Sequence, residues 1–190
     1  MLPKLIRVRR FRDDRGWFSE SYNARRFSEA GITDTFVQDN HSFSAPRGTL
    51  RGLHFQLPPH AQAKLVRCVA GAIWDVAVDI RADSPTRGRW VGAELTAEGG
   101  EQLYIPAGFA HGFVTLTADA QVAYKSSDFY APESEGAIRW DDPDLAIDWP
   151  LPGNAPTLSE KDAAAPLLAS LTANFAYDGD PLGTLEEASA

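Results

Sequence analysis

The feature that most constrains the fold is the run from Leu50 to Gln56, in which side chains alternate as a β-strand requires. Alternation places Leu50, Gly52, His54 and Gln56 on one face, and Arg51, Leu53 and Phe55 on the other. A histidine and a glutamine suit the interior of a barrel that holds a polar ligand better than a dry core. A lone histidine is more often structural, but the neighbours Arg51, Gln56 and Lys64 favour a site.

Short strand signals follow one another along most of the chain. Runs bounded by turn residues predict strands at residues 5–11, 17–22, 36–43, 50–56, 64–69, 73–80, 89–95, 102–105, 111–116 and 120–129. Short helices are predicted at 24–30, between Asn23 and Gly31, and at 159–171, after Ser159. Nothing between residues 36 and 129 resembles a long helix, which argues against βαβ units. The spacing predicts an all-β antiparallel sandwich or barrel with short peripheral helices.

The chain length of 190 residues fits one domain with a sizeable core, or one domain plus a tail. We predict a single domain over residues 1–173. Residues 174–190 are acidic and contain glycine and proline, and we expect this tail to be loosely held.

Charge and cysteine content exclude several classes of protein. The net charge of −8 argues against general nucleic-acid binding, although a small anionic substrate is compatible with it. Cys68 is the only cysteine, so no internal disulfide can form and a reducing compartment is expected. The basic N-terminus lacks the apolar segment of a signal peptide, and no apolar run approaches membrane-spanning length. We therefore predict a cytoplasmic protein with neither a nucleic-acid nor a membrane partner.

Side chains with catalytic potential recur at predicted strand positions, namely His54, Lys64, Asp79, His111, Tyr124 and Tyr130. A histidine can remove a weakly acidic proton from the carbon next to a carbonyl group. A lysine would stabilise the charge on the enolate oxygen, and a tyrosine could return the proton to the opposite face. A carboxylate would hold the histidine tautomer. These parts define an epimerase or isomerase that works without a cofactor.

The segment from Pro106 to His111 resembles the second motif of the cupin superfamily, many of whose members bind a metal. A metal-binding cupin supplies a second histidine two residues after the first, and then a carboxylate. Here Gln56 stands two residues after His54, and Lys64 stands where the carboxylate would be. An ammonium group would repel a cation, so we predict no metal ion at this site.

Several stretches, in order along the chain, carry a more specific resemblance. They are Asp14-Arg15-Gly16-Trp17-Phe18-Ser19-Glu20, Gln38-Asp39-Asn40, Arg51-Gly52-Leu53-His54-Phe55-Gln56, Asp79-Ile80-Arg81, Ala110-His111-Gly112-Phe113, Ile147-Asp148-Trp149-Pro150 and Ser159-Glu160-Lys161-Asp162. Together they resemble the dTDP-4-dehydrorhamnose 3,5-epimerase family of the cupin superfamily. The resemblance implies a cupin-type double-stranded β-helix, or jelly roll. It also implies inversion of C3 and C5 of dTDP-4-dehydro-6-deoxy-D-glucose, giving dTDP-4-dehydro-L-rhamnose for dTDP-rhamnose synthesis.

The resemblance further implies roles for individual residues. The catalytic set would be His54 as proton acceptor, Asp162 as its partner, Tyr124 as proton donor and Lys64 near the 4-keto oxygen. The dTDP-sugar would contact Arg15, Glu20, Gln38, Asn40, Arg51, His111, Glu135 and Lys161, and Phe18 and Tyr130 would stack on the thymine. The cations Arg15, Arg51 and Lys161 suit the diphosphate. In this family a homodimer, with its N-terminal strand exchanged, completes each active site.

Most of these residues also have a structural alternative. Tyr124 could be a core tyrosine, with Tyr130 then serving as the acid. Asp162 could be only a favourable charge in the first turn of a helix. Lys64 could snorkel from a strand edge, and Arg15 could be only a charge at the tip of a hairpin. Asp79 could support His54 or make structural hydrogen bonds. A solvated face is the alternative for Glu20, Gln38, Asn40 and Glu135.

Three rival functions stay open at this stage. The first is a 3-epimerase or ketoisomerase of a related dTDP-4-keto sugar, which the sequence does not separate from a 3,5-epimerase. The second is a cupin that binds a sugar nucleotide without catalysis, and His54, Lys64 and Tyr124 speak against it. The third is a metal-dependent cupin dioxygenase, and Gln56 and Lys64 speak against that.

Overall fold

Two β-sheets that pack face to face form the body of the protein, whose computed structural model describes residues 1–153, 155–172 and 175–190. The six-stranded sheet has the order β13 (Glu186–Ser189), β1 (Lys4–Arg7), β9 (Gln102–Ile105), β6 (Lys64–Ala70), β11 (Ala120–Ser126) and β4 (Gln38–Ser44). The five-stranded sheet has the order β12 (Glu135–Ala137), β5 (Leu50–Gln56), β10 (Phe109–Thr115), β7 (Ala72–Asp79) and β8 (Trp90–Thr96). A separate hairpin pairs β2 (Arg10–Asp13) with β3 (Gly16–Ser19).

Apolar side chains from both sheets fill the space between them. Val66, Leu103 and Val122 project from the six-stranded sheet and meet Ile73 and Phe113 of the five-stranded sheet. Successive side chains of a strand point to opposite faces, so each strand gives alternate residues to this interior. The all-β architecture with short peripheral helices confirms the predicted fold class.

The outer face of the five-stranded sheet is covered by the chain that follows β12. Leu145, Trp149 and Leu168 pack there against side chains of β5, β7 and β10. The buried carboxylate of Asp142 fixes this covering segment, because it accepts hydrogen bonds from the backbone N–H groups of Asp144 (2.8 Å) and Leu168 (2.6 Å). The segment therefore holds the residues around position 160 against the end of β5.

The first predicted helix is confirmed, but the first predicted strand is wrong. Helix α1 (Ala24–Glu29) begins after Asn23, whose side chain accepts from the backbone of the first turn, and it ends before Gly31. Residues 5–11 form two strands rather than one, because β1 joins the six-stranded sheet whereas β2 leaves it to pair with β3. The hairpin is attached to the turn between β8 and β9, where Arg10 donates to the carbonyl oxygen of Ala97 at 2.7 Å.

The second predicted helix, over residues 159–171, is too long. Helix α2 spans only Glu160–Ala163, and a 3₁₀ turn at Leu168–Ser170 follows it. Pro166 explains the break, since proline lacks a backbone N–H and restricts the residue before it. Within the described residues, no helix is long and apolar enough to cross a membrane.

The C-terminal tail is packed onto the protein over residues 175–190, which corrects the expectation of a loosely held segment. Strand β13 pairs in parallel with β1, and Leu182 is buried among the residues between the sheets. The guanidinium of Arg81 donates to the carboxylate of Asp178 at 2.6 Å and to the carbonyl oxygen of Asp180 at 2.9 Å. Residues 173 and 174, where the predicted domain ends and the tail begins, lie outside the described residues.

Candidate active site

A register shift in β5 decides which of its side chains face the interior. His54 lies opposite His111 of β10, but Arg51 lies opposite Phe113, so three steps along β5 match two along β10. Arg51 and His54 consequently line the same cavity. Leu53, which lies between them, instead packs into the cluster on the outer face of the sheet. Simple alternation had put Arg51 and His54 on opposite faces, and that prediction is wrong because the extra residue of a bulge reverses the alternation.

Glycine at position 52 allows β5 and β10 to approach closely at this shift. The φ of Gly52 is +121°, a region that other residues rarely adopt, and a Cβ there would lie 2.5 Å from the Cα of Gly112. The backbone N–H of Gly52 also helps to lower the pKa of the Asp162 carboxyl group. This residue therefore links the geometry of β5 to the position of α2.

His54 and Asp162 form a hydrogen-bonded pair. The Nε2 atom of His54 is 2.5 Å from Oδ1 of Asp162, which lies in α2 behind its N-cap Ser159. Burial alone would raise the pKa of Asp162, but the contact with His54 outweighs it, and the pKa falls below the usual range for a carboxyl group. Since an ionised Asp162 only accepts, Nε2 carries the proton and Nδ1 is left as the basic nitrogen of His54.

Lys64 and Tyr124 belong to the six-stranded sheet, whereas His54 belongs to the five-stranded one. The buried Nζ atom of Lys64 donates to the carbonyl oxygen of His54 at 3.4 Å and lies 6.0 Å from the ring centre of Tyr124. Burial lowers the pKa of Lys64 to about 8, against the opposing charges of Asp75 and Glu135. Burial also raises the pKa of Tyr124, so its phenol keeps its proton at neutral pH.

The cavity has two lobes of about 430 Å³ and about 390 Å³, and His54, Lys64 and Tyr124 line both of them. Residues that line only the first lobe include Arg51, His111, Lys161 and Asp162. The second lobe is lined by Gln38, Asn40, Tyr130 and Glu135, among others. The structure therefore brings three of the four proposed catalytic side chains to the junction of the lobes, with the fourth, Asp162, bonded to His54.

Polar contacts tie the residues of the second lobe together. Glu135 forms an ion pair with Lys161 and accepts a hydrogen bond from the hydroxyl of Tyr130 at 3.1 Å. The backbone N–H of Tyr130 donates to the side chain of Gln38 at 3.0 Å, and Gln38 donates in turn to Asn40 at 3.0 Å. The side chain of Tyr130 is exposed at the cavity mouth, whereas Tyr124 is half-buried.

Three predicted site residues lie on or next to the N-terminal hairpin, apart from this cavity. The side chain of Arg15 is 88% exposed at the tip, and Phe18 is 71% exposed. Glu20 accepts a hydrogen bond from Asn23 at 2.9 Å, beside α1. None of the three belongs to the described residues that line the two lobes. Within one protomer, then, the structure does not bring them to the cavity.

Two aspartates of β7 take different partners, and only Asp79 was a predicted candidate. Asp79 makes hydrogen bonds with Arg81, Ser84 and Thr86 rather than with His54. Asp75 was not predicted as a site residue. Its Oδ1 atom is 2.5 Å from Nε2 of His111. The signal was present, because Asp75 and Asp79 are the two charged residues of a strand whose other residues are apolar.

In the ranges 1–153, 155–172 and 175–190, no three histidine, cysteine, aspartate or glutamate side chains converge to hold a metal ion.

Fold and site together define a class of protein, a jelly-roll barrel of the cupin type whose cavity carries acid–base groups. Comparison with known proteins agrees. The profile of the dTDP-4-dehydrorhamnose 3,5-epimerase family matches residues 3–170. A dTDP-4-dehydrorhamnose 3,5-epimerase of Pseudomonas aeruginosa is 60% identical over 159 residues, covering 83% of this chain and 86% of that protein. The chain belongs to the dTDP-4-dehydrorhamnose 3,5-epimerase family.

Solved structures of similar proteins have the same fold. The dTDP-4-dehydrorhamnose 3,5-epimerase of Bacillus anthracis, with TDP and PPi bound, has a TM-score of 0.84 and 49% identity, covering 87% of this chain and 93% of that one. The dTDP-6-deoxy-D-glucose-3,5-epimerase of Legionella pneumophila, in complex with dTDP-4-keto-L-rhamnose, has a TM-score of 0.82 and 50% identity, covering 89% and 94%. These similarities confirm the cupin-type jelly roll that the motifs predicted.

Proposed function

We propose that the protein is a dTDP-4-dehydrorhamnose 3,5-epimerase, which converts dTDP-4-dehydro-6-deoxy-D-glucose to dTDP-4-dehydro-L-rhamnose for dTDP-rhamnose synthesis. The observation that carries this proposal is the arrangement of one cavity. His54 stands on one sheet, bonded to Asp162 of α2, and Lys64 and Tyr124 stand on the other sheet. A substrate held between the sheets would have a base and an acid on opposite sides, as inversion of a carbon requires.

His54 would act as the base. Its Nδ1 atom would take the proton from the carbon next to the 4-keto group, first at one position and then at the other. Asp162 holds Nε2 and stabilises the imidazolium that forms, in the way that the carboxylate of a catalytic triad does. The electron pair left on carbon moves into the carbonyl group and places negative charge on its oxygen.

Lys64 and Tyr124 would complete the reaction. The ammonium group of Lys64 is buried, so its attraction for the enolate oxygen is stronger than it would be in water. Tyr124 is protonated at neutral pH and would give its proton to the opposite face of the carbon. The cavity residues Arg51 and Lys161 supply cationic groups for the diphosphate.

We also propose that a homodimer completes each site by exchanging the hairpin. The hairpin and the outer face of the six-stranded sheet both expose large apolar side chains, namely Phe11 (45%), Trp17 (49%), Phe18 (71%), Val37 (44%), Phe43 (55%) and Val69 (39%). Exposed apolar surface of this extent marks an interface. A second copy that covered it could bring its Arg15, Phe18 and Glu20 to the cavity of the first, where Arg15 would contact the diphosphate and Phe18 the thymine.

Deuterium exchange tests the proposed reaction. In D2O with dTDP-4-dehydro-6-deoxy-D-glucose, the protein should incorporate deuterium at both C3 and C5, which NMR of the product measures. Boiled protein is the control. Label at C3 alone would identify a 3-epimerase, and absence of label would indicate a protein that binds without catalysis.

Mixing two inactive variants tests the exchanged hairpin. Arg15→Ala and His54→Ala should each be nearly inactive alone. Co-expressed in equal amounts, they should regain about a quarter of the wild-type activity, because half of the dimers are mixed and each has one intact site of two.

The matched control for this experiment mixes His54→Ala with Tyr124→Phe. Both residues line the cavity of the same protomer, so no mixed dimer has an intact site and activity should not return. If the Arg15→Ala mixture also stays inactive, although mixed dimers are isolated by two affinity tags, the exchange of the hairpin is refuted.

A further inference from the structure

A buried carboxylate that the proposed mechanism does not use lies in the interior of the jelly roll. Asp75 is fully buried on β7, and its Oδ1 atom is 2.5 Å from Nε2 of His111. Its Oδ2 atom has no hydrogen-bond partner among the described residues. Burying a charge is costly unless nearby groups compensate it. The nearby groups therefore indicate what Asp75 does.

One group of opposite charge is the ammonium group of Lys64, which is buried in the same interior and feels the charge of Asp75. Titratable side chains around Lys64 come from five strands, namely His54 of β5, Asp75 of β7, His111 of β10, Tyr124 of β11 and Glu135 of β12. The neighbouring strands β8 and β9 contribute apolar side chains to the same interior. Two of the five groups are carboxylates, so either could balance the charge of Lys64.

Their partners distinguish the two carboxylates. Glu135 lies at the cavity mouth and already pairs with the ammonium group of Lys161 and the hydroxyl of Tyr130. Among the described side chains, Asp75 makes a hydrogen bond only with the imidazole of His111, and burial lowers the pKa of that imidazole. A neutral His111 donates Nε2–H to Asp75 and does not cancel its charge. The charge of Asp75 is thus the one left to act on Lys64.

We propose that Asp75 is a positioning residue that keeps Lys64 charged for the enolate and holds His111 in one orientation in the cavity. The proposal rests on the proposed function, since Lys64 matters only if an enolate forms. In a dry interior an isolated ammonium group loses its proton readily. The negative charge of Asp75 offsets that tendency, and its hydrogen bond leaves Nδ1 of His111 to accept from a substrate hydroxyl group.

The variant Asp75→Asn tests this electrostatic role, because asparagine keeps the shape and an acceptor oxygen but removes the charge. Without the charge of Asp75, the pKa of Lys64 should fall from about 8 to a lower value. Lys64 then loses its proton, and its positive charge, at a lower pH. The alkaline limb of kcat against pH should move down by about one unit. Activity should then fall about tenfold on the alkaline side and change little at pH 6.

Asp128→Asn is the matched control, since Asp128 is also an aspartate bonded to a histidine, 3.2 Å from His60, and it lines neither lobe of the cavity. It should leave the alkaline limb where it is. The activity of Asp75→Asn could instead fall equally at every pH, or its alkaline limb could stay in place. Either result would show that Asp75 has only a structural role and would overturn the proposal.

NMR of the wild-type protein gives a second measurement that needs neither a folded variant nor activity. The ¹³Cγ signal of Asp75 should be that of an ionised carboxylate at neutral pH. It should also shift at the pH where the ¹³Cε signal of Lys64 titrates, and with only four lysines in the chain that signal is readily assigned. A protonated Asp75, or one that does not respond to Lys64, contradicts the proposal. The result is independent of whether the protein is an epimerase.

Discussion

His54→Ala should lower turnover by about 10²–10⁴-fold, the contribution expected of a positioned general base, and should lower deuterium incorporation by the same factor. Both fall together because, among the described residues that line the cavity, His54 is the one whose protonated form Asp162 stabilises. The side chain of His54 is only partly buried, at 31% exposed, so its removal leaves the fold intact. Product formation and exchange are measured by NMR in D2O on the same sample.

A third histidine–aspartate pair gives the control for this variant. His60 lies 3.2 Å from Asp128 on the surface, and it does not line either lobe of the cavity. His60→Ala should keep wild-type turnover and exchange. If His54→Ala exchanges protons at the wild-type rate, another base operates and the proposed mechanism fails.

Tyr124→Phe should separate the two halves of the reaction. The base and the enolate-stabilising cation remain in this variant, so exchange of the substrate protons with solvent should continue. Inversion should fall by about 10²–10⁴-fold, because the acid on the opposite face is missing. The comparison is between the rate of deuterium incorporation into recovered substrate and the rate of formation of the inverted product.

Tyr130→Phe is the control for Tyr124→Phe, because Tyr130 is the other tyrosine that lines the cavity. Tyr130 is exposed at the cavity mouth and donates to Glu135, so its loss should affect substrate binding more than inversion. The KM should rise while kcat changes little. If Tyr124→Phe behaves like the wild type and Tyr130→Phe loses inversion instead, the roles of the two tyrosines are reversed.

Local patterns in the sequence predicted the elements of the fold well. Alternation and turn residues marked most of the strands between residues 36 and 129, and Asn23 and Gly31 marked the ends of α1. These features depend on residues a few positions apart, so they can be read without knowing the fold. Two elements were predicted wrongly, namely the end of α2 and the first strand, which is split in two. The split depends on contacts with distant parts of the chain, which local patterns do not contain.

The candidate site was identified only partly by such patterns. His54 and Lys64 stood out as polar residues in apolar strands, whereas Asp162 was recognised only through the family resemblance. Asp75 was missed because nothing in its own strand shows that His111 will lie beside it. The catalytic roles stay predictions until the variants are measured.

The amino-acid sequence by itself determined the all-β class, the spacing of the strands and the family, because periodicity, turns and motifs are properties of neighbouring residues. Only the tertiary structure decided that Arg51 shares the cavity with His54, that Asp162 meets His54 across 108 positions, and that the C-terminal tail is held by Arg81. The physical reason is strand register. One extra residue in β5 reverses the direction of every side chain beyond it, and register is set by pairing with β10, far away in the sequence.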